Sequence, residues 1–301
     1  MRFALVILIG ICSFSLSAQV QRQLGNNKPN LSGPGNMRPF EHAEGTYVVV
    51  NGINMYYEQY GEGDPVLLIH GNGGSVKDMD AQINYLARKH RVIVADSRGQ
   101  GNSGNNADSL TYELMAEDYY LLLEQLEIDS VFVFGWSDGG IIGLILARDY
   151  PGKVARLAFS GVNLRPDTTA LIPEVVARVA AENTMAKDSI AAGKKSFGNT
   201  FMLTQLLMHH PNIDVESLRD ITIPVLVISG DNDLVKLEHT LGIYTHLPNA
   251  QLCIFPGTTH NALHEVPQLM NTTLTRFFVK PFVKPDPMGF ISGGQLPAGD
   301  E

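Results

Sequence analysis

Residues 135–139 read Gly-Trp-Ser-Asp-Gly, and the central serine of this pattern, Ser137, could act as a nucleophile. The β-branched and aromatic residues 131–134 before it predict a strand, and the small apolar residues 141–147 after it predict a helix. A sharp turn between a strand and a helix exposes the serine hydroxyl, and flanking glycines avoid Cβ collisions where the two elements pass closely. Because such a pattern also occurs in ordinary tight loops, it is the strand and helix around Ser137 that favour a nucleophile.

A serine nucleophile needs an imidazole to accept its proton and a carboxylate to orient that imidazole. Of the nine histidines, His260 alone follows a late predicted strand within a glycine-containing turn. His70 also follows a strand, but it begins a glycine-rich loop. Two carboxylates, Asp231 and Asp233, follow the strand predicted at residues 224–229, and either of them could orient the imidazole.

The glycine-rich loop at residues 70–75 reads His-Gly-Asn-Gly-Gly-Ser and could bind an anion through its backbone N–H groups. A phosphate-binding loop would need a Lys-Ser/Thr ending or a longer glycine spacing, which this loop lacks. With Ser137 as the nucleophile, the loop is instead predicted to stabilise an oxyanion. The expected donors are the backbone N–H groups of Asp138 and of one loop residue, with Asn72 preferred over Gly73.

Short strands alternate with helices along most of the chain. Strands are predicted at residues 46–50, 54–60, 65–69, 91–95, 131–134, 155–162, 224–229 and 250–255. Helices are predicted at residues 80–90, 111–126, 141–147 and 267–279. The Asn51-Gly52 pair joins the first two strands as a hairpin. The alternation predicts an α/β fold in which helices cover both faces of a mostly parallel sheet.

The alternation stops at about residues 164–220. Helices are predicted there at residues 173–186 and 201–209, joined by a polar connector at residues 187–199. Met202 in the second of these helices could line a substrate pocket or belong to the insertion's own packing face. His264 lies four residues after His260, and we interpret it as a wall of the site rather than as its base.

Composition narrows the class of protein. The chain has 301 residues, 44% of them hydrophobic, and a net charge of −9, so it can bury a large core and offers no basic cluster for nucleic acid. The first residues combine a charged start, an apolar run and small residues up to Ala18, as in a signal peptide. This run is shorter than the roughly 20 apolar residues that span a bilayer, so export without a stable membrane anchor is expected.

Flexible segments are predicted on either side of the folded domain. Residues 19–45 are rich in Asn, Pro, Gly and Gln and are expected to form a flexible leader, and residues 280–301 a disordered tail. The folded domain is therefore expected at residues 46–279. Of the two cysteines, Cys12 lies in the signal peptide, so no internal disulfide is expected in the mature chain. No metal-binding spacing of cysteines and histidines is present.

Three motifs together resemble the α/β-hydrolase fold superfamily. They are His-Gly-x-Gly-Gly after the third strand, Asp-x-Arg-Gly-x-Gly-x-Ser from Asp96, and Gly-x-Ser-x-Gly around Ser137. The likeness runs from about residue 46 to residue 279 and implies that residues 164–220 are a small helical cap. Around Ser137 the sequence is most similar to the valacyclovir hydrolase (biphenyl-hydrolase-like) group, which cleaves esters of α-amino acids.

The resemblance implies a role for each candidate residue. His260 matches the family's catalytic histidine, and Asp233, in a Gly-x-x-Asp pattern, matches its acid, which leaves Asp231 to cap a turn. The matching aspartate of the valacyclovir hydrolase group pairs with a substrate ammonium, so Asp138 could do the same or simply bind a neighbouring loop. Asp138, Gly73, Met202 and His264 are the candidates for substrate contact.

These inferences together predict a secreted or periplasmic serine hydrolase that cleaves a small ester or activated amide without a metal or an organic cofactor. Two alternatives stay open. One is hydrolysis of a carbon–carbon bond by the same triad, and the other is a binding protein that kept the scaffold without its activity. Its partner is expected to be a small-molecule substrate. The sequence does not indicate an oligomeric state.

Overall fold

The computed structural model describes residues 41–284 and Met288. The strands of this part are β1 (Thr46–Val50), β2 (Ile53–Tyr60), β3 (Pro65–Ile69), β4 (Arg91–Ala95), β5 (Val131–Trp136), β6 (Val154–Ser160), β7 (Val225–Gly230) and β8 (Ala250–Phe255). Its α-helices are α1 (Asp80–Leu86), α2 (Tyr112–Gln125), α3 (Asp138–Asp149), α4 (Pro173–Ala191), α5 (Gly198–His209), α6 (Leu237–His246), α7 (Ala262–Glu265) and α8 (Pro267–Val279). The predicted signal peptide at residues 1–18 lies outside the described residues.

The strands form one sheet in the order β1-β2-β4-β3-β5-β6-β7-β8. β1 and β2 pair as an antiparallel hairpin, with Val50 opposite Ile53, around the predicted Asn51-Gly52 turn. β2 is antiparallel to β4, whereas all pairs from β4 to β8 are parallel. The predicted mostly parallel sheet is therefore confirmed. The carboxyl ends of β3, β5, β6, β7 and β8 consequently lie at one edge of the sheet.

The centre of the sheet is buried on both faces. Val66, Leu67, Leu68 and Ile69 of β3 are all 0% exposed, although successive side chains of a strand point to opposite faces. Helices must therefore cover both faces, as the alternation of strands and helices predicted. At about 25 cal/mol for each Å² of apolar surface removed from water, this burial is the main favourable term that holds the sheet in place.

The insertion between β6 and β7 is a helical hairpin of α4 and α5. The Asn183 side chain joins its two helices by donating to Thr204 Oγ1 at 2.9 Å and accepting from Gln205 Nε2 at 3.0 Å. The predicted connector at residues 187–199 is wrong in its bounds, because α4 continues to Ala191 and α5 begins at Gly198. Lys187 and Asp188, in the first part of the predicted connector, lie on the exposed face near the end of α4.

The described ends of the chain contact the sheet. Near the start, the Ala43 N–H donates to the Tyr60 hydroxyl at 3.0 Å. Near the end, Gln251 Nε2 donates to the Val283 carbonyl at 3.0 Å. Residues 19–40 of the predicted leader and residues 285–287 and 289–301 of the predicted tail lie outside the described residues. Within residues 41–284, we find no helix with the length and apolar character that a membrane span requires.

Candidate active site

Ser137 occupies the turn between β5 and α3. Its backbone has φ 55° and ψ −120°, a conformation that is uncommon for a residue with a side chain. The Ser137 N–H donates to the Ser160 carbonyl at 2.8 Å, which ties the turn to the end of β6. A strained backbone held by neighbouring elements is typical of functional sites, and here it presents the serine at the carboxyl edge of the sheet.

The glycines on either side of Ser137 allow β5 and α3 to approach each other. A Cβ atom at Gly135 would lie 2.2 Å from the Gly139 carbonyl oxygen, and one at Gly139 would lie 2.1 Å from the Ile69 carbonyl oxygen. Both separations are far below van der Waals contact, so any side chain at either position would force the turn apart. The predicted reason for glycine at these two positions is confirmed.

His260 and Asp233 meet at the same edge of the sheet. Asp233 follows β7, His260 follows β8, and His260 Nδ1 lies 2.7 Å from Asp233 Oδ1. The Asp233 carboxylate also accepts hydrogen bonds from the Val235 N–H at 3.0 Å and the Ser229 hydroxyl at 3.2 Å. Burial opposes the charged form of Asp233, but the charge of His260 and these hydrogen bonds outweigh it and lower the pKa of the carboxyl group.

Asp231, the alternative acid, contacts the turn after β8 and not His260. Its Oδ1 accepts hydrogen bonds from the backbone N–H groups of Gly257 at 2.8 Å and Thr258 at 3.2 Å. The side chain is exposed and has no hydrogen bond to His260 among the described residues. Asp231 therefore caps the turn after β8, and Asp233 is the carboxylate that contacts the histidine.

Trp136 connects the turn that holds Ser137 to the loop after β8 that holds His260. This residue directly precedes Ser137, and its indole N–H donates to the His260 carbonyl at 2.8 Å. The ring centroids of Trp136 and His260 are 5.8 Å apart, and His264 packs edge-on against Trp136 at 5.3 Å. Among the described residues no hydrogen bond joins His260 to the Ser137 hydroxyl. Catalytic hydrogen bonds of this kind often tighten only when substrate binds.

The hydrogen bonds of the glycine-rich loop leave one of its central N–H groups free. The Gly73 N–H donates to Gln100 Oε1 at 2.6 Å and the Gly74 N–H to the Gly71 carbonyl at 3.1 Å. Among the described residues, the Asn72 N–H has no acceptor. The Asp138 N–H begins α3 and has no acceptor within the helix. Gly73, the alternative oxyanion donor, is therefore already occupied, whereas Asn72 and Asp138 each keep a free donor.

The Asp138 side chain contacts the same loop. Its Oδ2 accepts a hydrogen bond of 2.9 Å from the Asn72 side-chain amide, and the residue is only 2% exposed. The Tyr112 hydroxyl lies beside this carboxylate without a hydrogen bond of ordinary geometry. Burial raises the pKa of Asp138 to about 6, and the interactions with Asn72, Tyr112 and His260 offset only part of that rise.

His70 and Asp96 hold the loops around the site. His70 Nδ1 lies 2.7 Å from the Gly71 carbonyl, and the Ser97 N–H donates to His70 Nε2 at 2.9 Å. Burial lowers the pKa of His70, which keeps its imidazole neutral and able to accept at Nε2. Asp96 accepts from the Val76 N–H at 2.7 Å. Both residues therefore fix the geometry of the loops around the site.

Met202 lies in α5 and packs against the main core, and its sulfur accepts a hydrogen bond from Asn105 Nδ2 at 3.1 Å. The contacts of Met202 are therefore made with the main core and with Asn105, outside the α4–α5 insertion. Sequence reasoning missed three residues next to the candidate site: Gln100 contacts the glycine-rich loop, Tyr112 lies beside Asp138, and Ser229 donates to Asp233. Ser229 ends a predicted strand only four residues before Asp233, which was the one usable signal.

Comparisons with known proteins identify the family of this chain. The family model described as alpha/beta hydrolase fold matches residues 64–180. The human protein "Serine hydrolase BPHL" is 32% identical over 230 residues, which cover 71% of this chain and 79% of that protein. The "Putative non-heme bromoperoxidase BpoC" of Mycobacterium tuberculosis is 31% identical over 261 residues, which cover 75% of this chain and 98% of the relative.

A solved structure shows the same fold. MGS-M2, an alpha/beta hydrolase enzyme from a Medee basin deep-sea metagenome library, superimposes with a TM-score of 0.70 at 22% identity, covering 80% of this chain and 99% of MGS-M2. The eight-stranded, mostly parallel sheet and the sequence relatives lead to the same assignment. The chain belongs to the alpha/beta hydrolase superfamily, with human serine hydrolase BPHL among its relatives.

Proposed function

We propose that the protein is a serine hydrolase that cleaves a small ester or activated amide through an acyl-enzyme. The observation that carries this proposal is the hydrogen bond of 2.7 Å between His260 and Asp233, held against Trp136 and hence beside the Ser137 turn. A histidine oriented by a buried carboxylate next to a strained serine is the arrangement that activates a hydroxyl. The chain order of serine, acid and histidine is the one this fold uses.

In the proposed reaction, Ser137 Oγ attacks the substrate carbonyl carbon while His260 Nε2 accepts its proton. Asp233 holds Nδ1 and stabilises the imidazolium. The N–H groups of Asn72 and Asp138 stabilise the negative oxygen, each contributing about 3 kcal/mol. The imidazolium then protonates the leaving alcohol or amine, and an acyl-serine ester remains. Water, deprotonated by His260, then attacks this ester, and the imidazolium returns the proton to Ser137 Oγ as its bond to the acyl carbon breaks, so that the products are an acid and free Ser137.

Pre-steady-state hydrolysis of p-nitrophenyl esters tests this proposal. An acyl-enzyme predicts a burst of p-nitrophenol equal to the enzyme concentration whenever deacylation is the slow step. Ser137→Ala should remove both the burst and the turnover, while its melting temperature shows that it still folds. Turnover in Ser137→Ala at the wild-type rate would contradict the proposal.

The same assays distinguish the ester hydrolase from two alternative functions. A carbon–carbon bond hydrolase would turn over a vinylogous diketone faster than simple esters, whereas we expect the esters to react faster. A binding protein that had lost catalysis would hydrolyse neither substrate. No residue contact described above specifically favours either alternative over the ester hydrolase.

We also propose that the mature enzyme acts outside the cytoplasm. The support for this is the sequence of residues 1–18, whose charged start, apolar run and small residues before Gln19 are typical of an exported protein. Mass spectrometry of the protein from a cell fractionation should find a mature chain beginning close to Gln19 in the exported fraction. An intact Met1 on a cytoplasmic protein would contradict it.

A further inference from the structure

The glycine-rich loop has few means of holding its own shape. Between Gly71 and Gly74, Asn72 is the only residue with a functional side chain, and Gly73 has φ +68° with no atom within 4 Å of a Cβ built on it. Glycines give a backbone wide conformational freedom. Besides the turn hydrogen bond from the Gly74 N–H to the Gly71 carbonyl, the position of the Asn72 N–H depends on hydrogen bonds from outside the loop.

Two such hydrogen bonds flank the Asn72 N–H. On one side, the Asn72 side-chain amide donates to Asp138 Oδ2 at 2.9 Å. On the other side, the next N–H along the chain, that of Gly73, donates to Gln100 Oε1 at 2.6 Å. Asp138 and Gln100 are both buried, at 2% and 3% exposure, so each is a fixed point to which the loop is attached.

Asp138 also carries the other free donor. Its N–H begins α3 directly after Ser137, and its carboxylate reaches back to the loop. A single residue therefore supplies one N–H and restrains the residue that supplies the second. Burial of the carboxylate destabilises its charged form, as its raised pKa shows, and a group kept under such a penalty beside a nucleophile is typical of a functional role.

We propose that Asp138 is a positioning residue, whose carboxylate holds the glycine-rich loop through the Asn72 side chain and so sets the separation of the Asn72 and Asp138 N–H groups. This inference rests on the proposed serine hydrolase function. It differs from ammonium recognition because the carboxylate acts on the enzyme's own loop. The Asp138 side chain should therefore affect every acyl substrate equally, whatever its charge.

The experiment is a double-mutant cycle on a neutral p-nitrophenyl ester, with Asn72→Ala, Asp138→Ala and the combined variant. Each single variant should lower kcat by about 10- to 100-fold with little change in KM, since it misplaces a donor that matters mainly in the transition state. The combined variant should lose no more than either single one, because both remove the same hydrogen bond. Asp138→Asn keeps an acceptor for Asn72 and should recover most of the kcat lost in Asp138→Ala.

A matched control separates positioning from general stability. Asn51 Nδ2 donates to Asp118 Oδ1 at 3.0 Å, which is the same type of bond to another buried aspartate, and among the described residues neither side chain has a hydrogen bond to Ser137 or to the glycine-rich loop. Asn51→Ala should lower the melting temperature while kcat stays unchanged. If Asp138→Ala fails to fold, the partly exposed Asn72→Ala still tests the same hydrogen bond.

Three results would overturn the inference. The first is unchanged kcat in Asn72→Ala, and the second is additive losses in the combined variant. The third is a loss in Asp138→Ala that is confined to an aminoacyl ester and absent for its deaminated analogue, which would assign the carboxylate to the substrate ammonium. A wild-type protein that hydrolyses no ester would overturn the proposed function and this inference together, whereas an active wild type with any of the three results overturns this inference alone.

Discussion

His260 and Asp233 are separated by 27 residues in the chain and joined by a hydrogen bond of 2.7 Å in the fold. The two loops that carry them follow β7 and β8, which are adjacent and parallel, so both side chains project from the same edge of the sheet. The side chain of Asp233 is 1% exposed and that of His260 is 12% exposed. A carboxylate so thoroughly removed from water can orient the imidazole without competition from solvent.

Asp233→Asn should lower kcat by about 10⁴-fold while the protein stays folded, because an amide cannot hold the Nδ1–H tautomer in the same way. Asp231→Asn is the matched control, since Asp231 has the same side chain two residues earlier but bonds the turn after β8. Steady-state kinetics on a p-nitrophenyl ester compares the two variants. Equal losses in both would show that Asp233 has no special role.

Gly161 has no side chain, and the His260 imidazole occupies the space where a Cβ atom would lie. A Cβ atom at Gly161 would lie 2.6 Å from His260 Nδ1 and 2.5 Å from His260 Cε1, and the residue has φ +69°. Gly161→Ala should therefore displace the imidazole and lower kcat by about 10-fold or more, since small misplacements of catalytic groups are costly.

The control for Gly161→Ala is Gly152→Ala. Gly152 also has a positive φ, +93°, but no atom lies within 4 Å of a Cβ built there. Both substitutions should cost stability of about 1 kcal/mol through backbone strain, whereas only Gly161→Ala should reduce kcat. Kinetics and thermal unfolding measured side by side check this. A similar kcat for the two variants would mean that His260 does not depend on the space at Gly161.

Asp138 should make the free energy of unfolding depend on pH with a recognisable sign. The pKa of this carboxyl group rises from 3.8 to about 6 on folding, so the folded state binds more protons than the unfolded state. Its stabilising contribution is then full below about pH 4 and lost as the pH rises through about 6. Asp138→Asn does not titrate, so relative to wild type it should gain roughly 3 kcal/mol between about pH 4 and pH 8.

Urea denaturation of wild type and Asp138→Asn at about pH 4 and pH 8 measures this gain in the free energy of unfolding. Asp233→Asn provides a contrast, because the pKa of Asp233 is lowered on folding and the pH-dependent difference should have the opposite sign. Thus Asp233→Asn should lose stability relative to wild type as the pH rises. A difference between Asp138→Asn and wild type that stays constant with pH would contradict the assignment of a buried, titrating carboxyl group.

Sequence alone predicted the sheet well and the contacts within the site less completely. β3 and β8 have their predicted bounds because a short apolar run between turn residues leaves little room for another interpretation. The predicted helix ends at residue 186 because Lys187 and Asp188 are polar, whereas α4 continues to Ala191. Polarity alone does not distinguish an exposed helix face from a loop.

The hydrogen bond between Asn72 and Asp138 spans 66 residues and depends on how β3 and α3 pack. No local sequence pattern predicts a hydrogen bond between two residues so far apart in the chain. The free Asn72 N–H likewise becomes visible only when the acceptor for each neighbouring N–H is known, and Gln100 gave no sequence signal for that role. Motifs could therefore indicate which residues react, while the residues that position them needed the fold.

If Ser137 is an activated nucleophile, it should react with a fluorophosphonate probe. Such a probe phosphonylates an activated serine hydroxyl, which is observed as one added mass on the intact protein and located by peptide mapping. We predict stoichiometric labelling of wild type at Ser137, slower labelling of Asp233→Asn and none of Ser137→Ala. No labelling of the folded wild type, or labelling that persists in Ser137→Ala, would show that Ser137 is not the nucleophile.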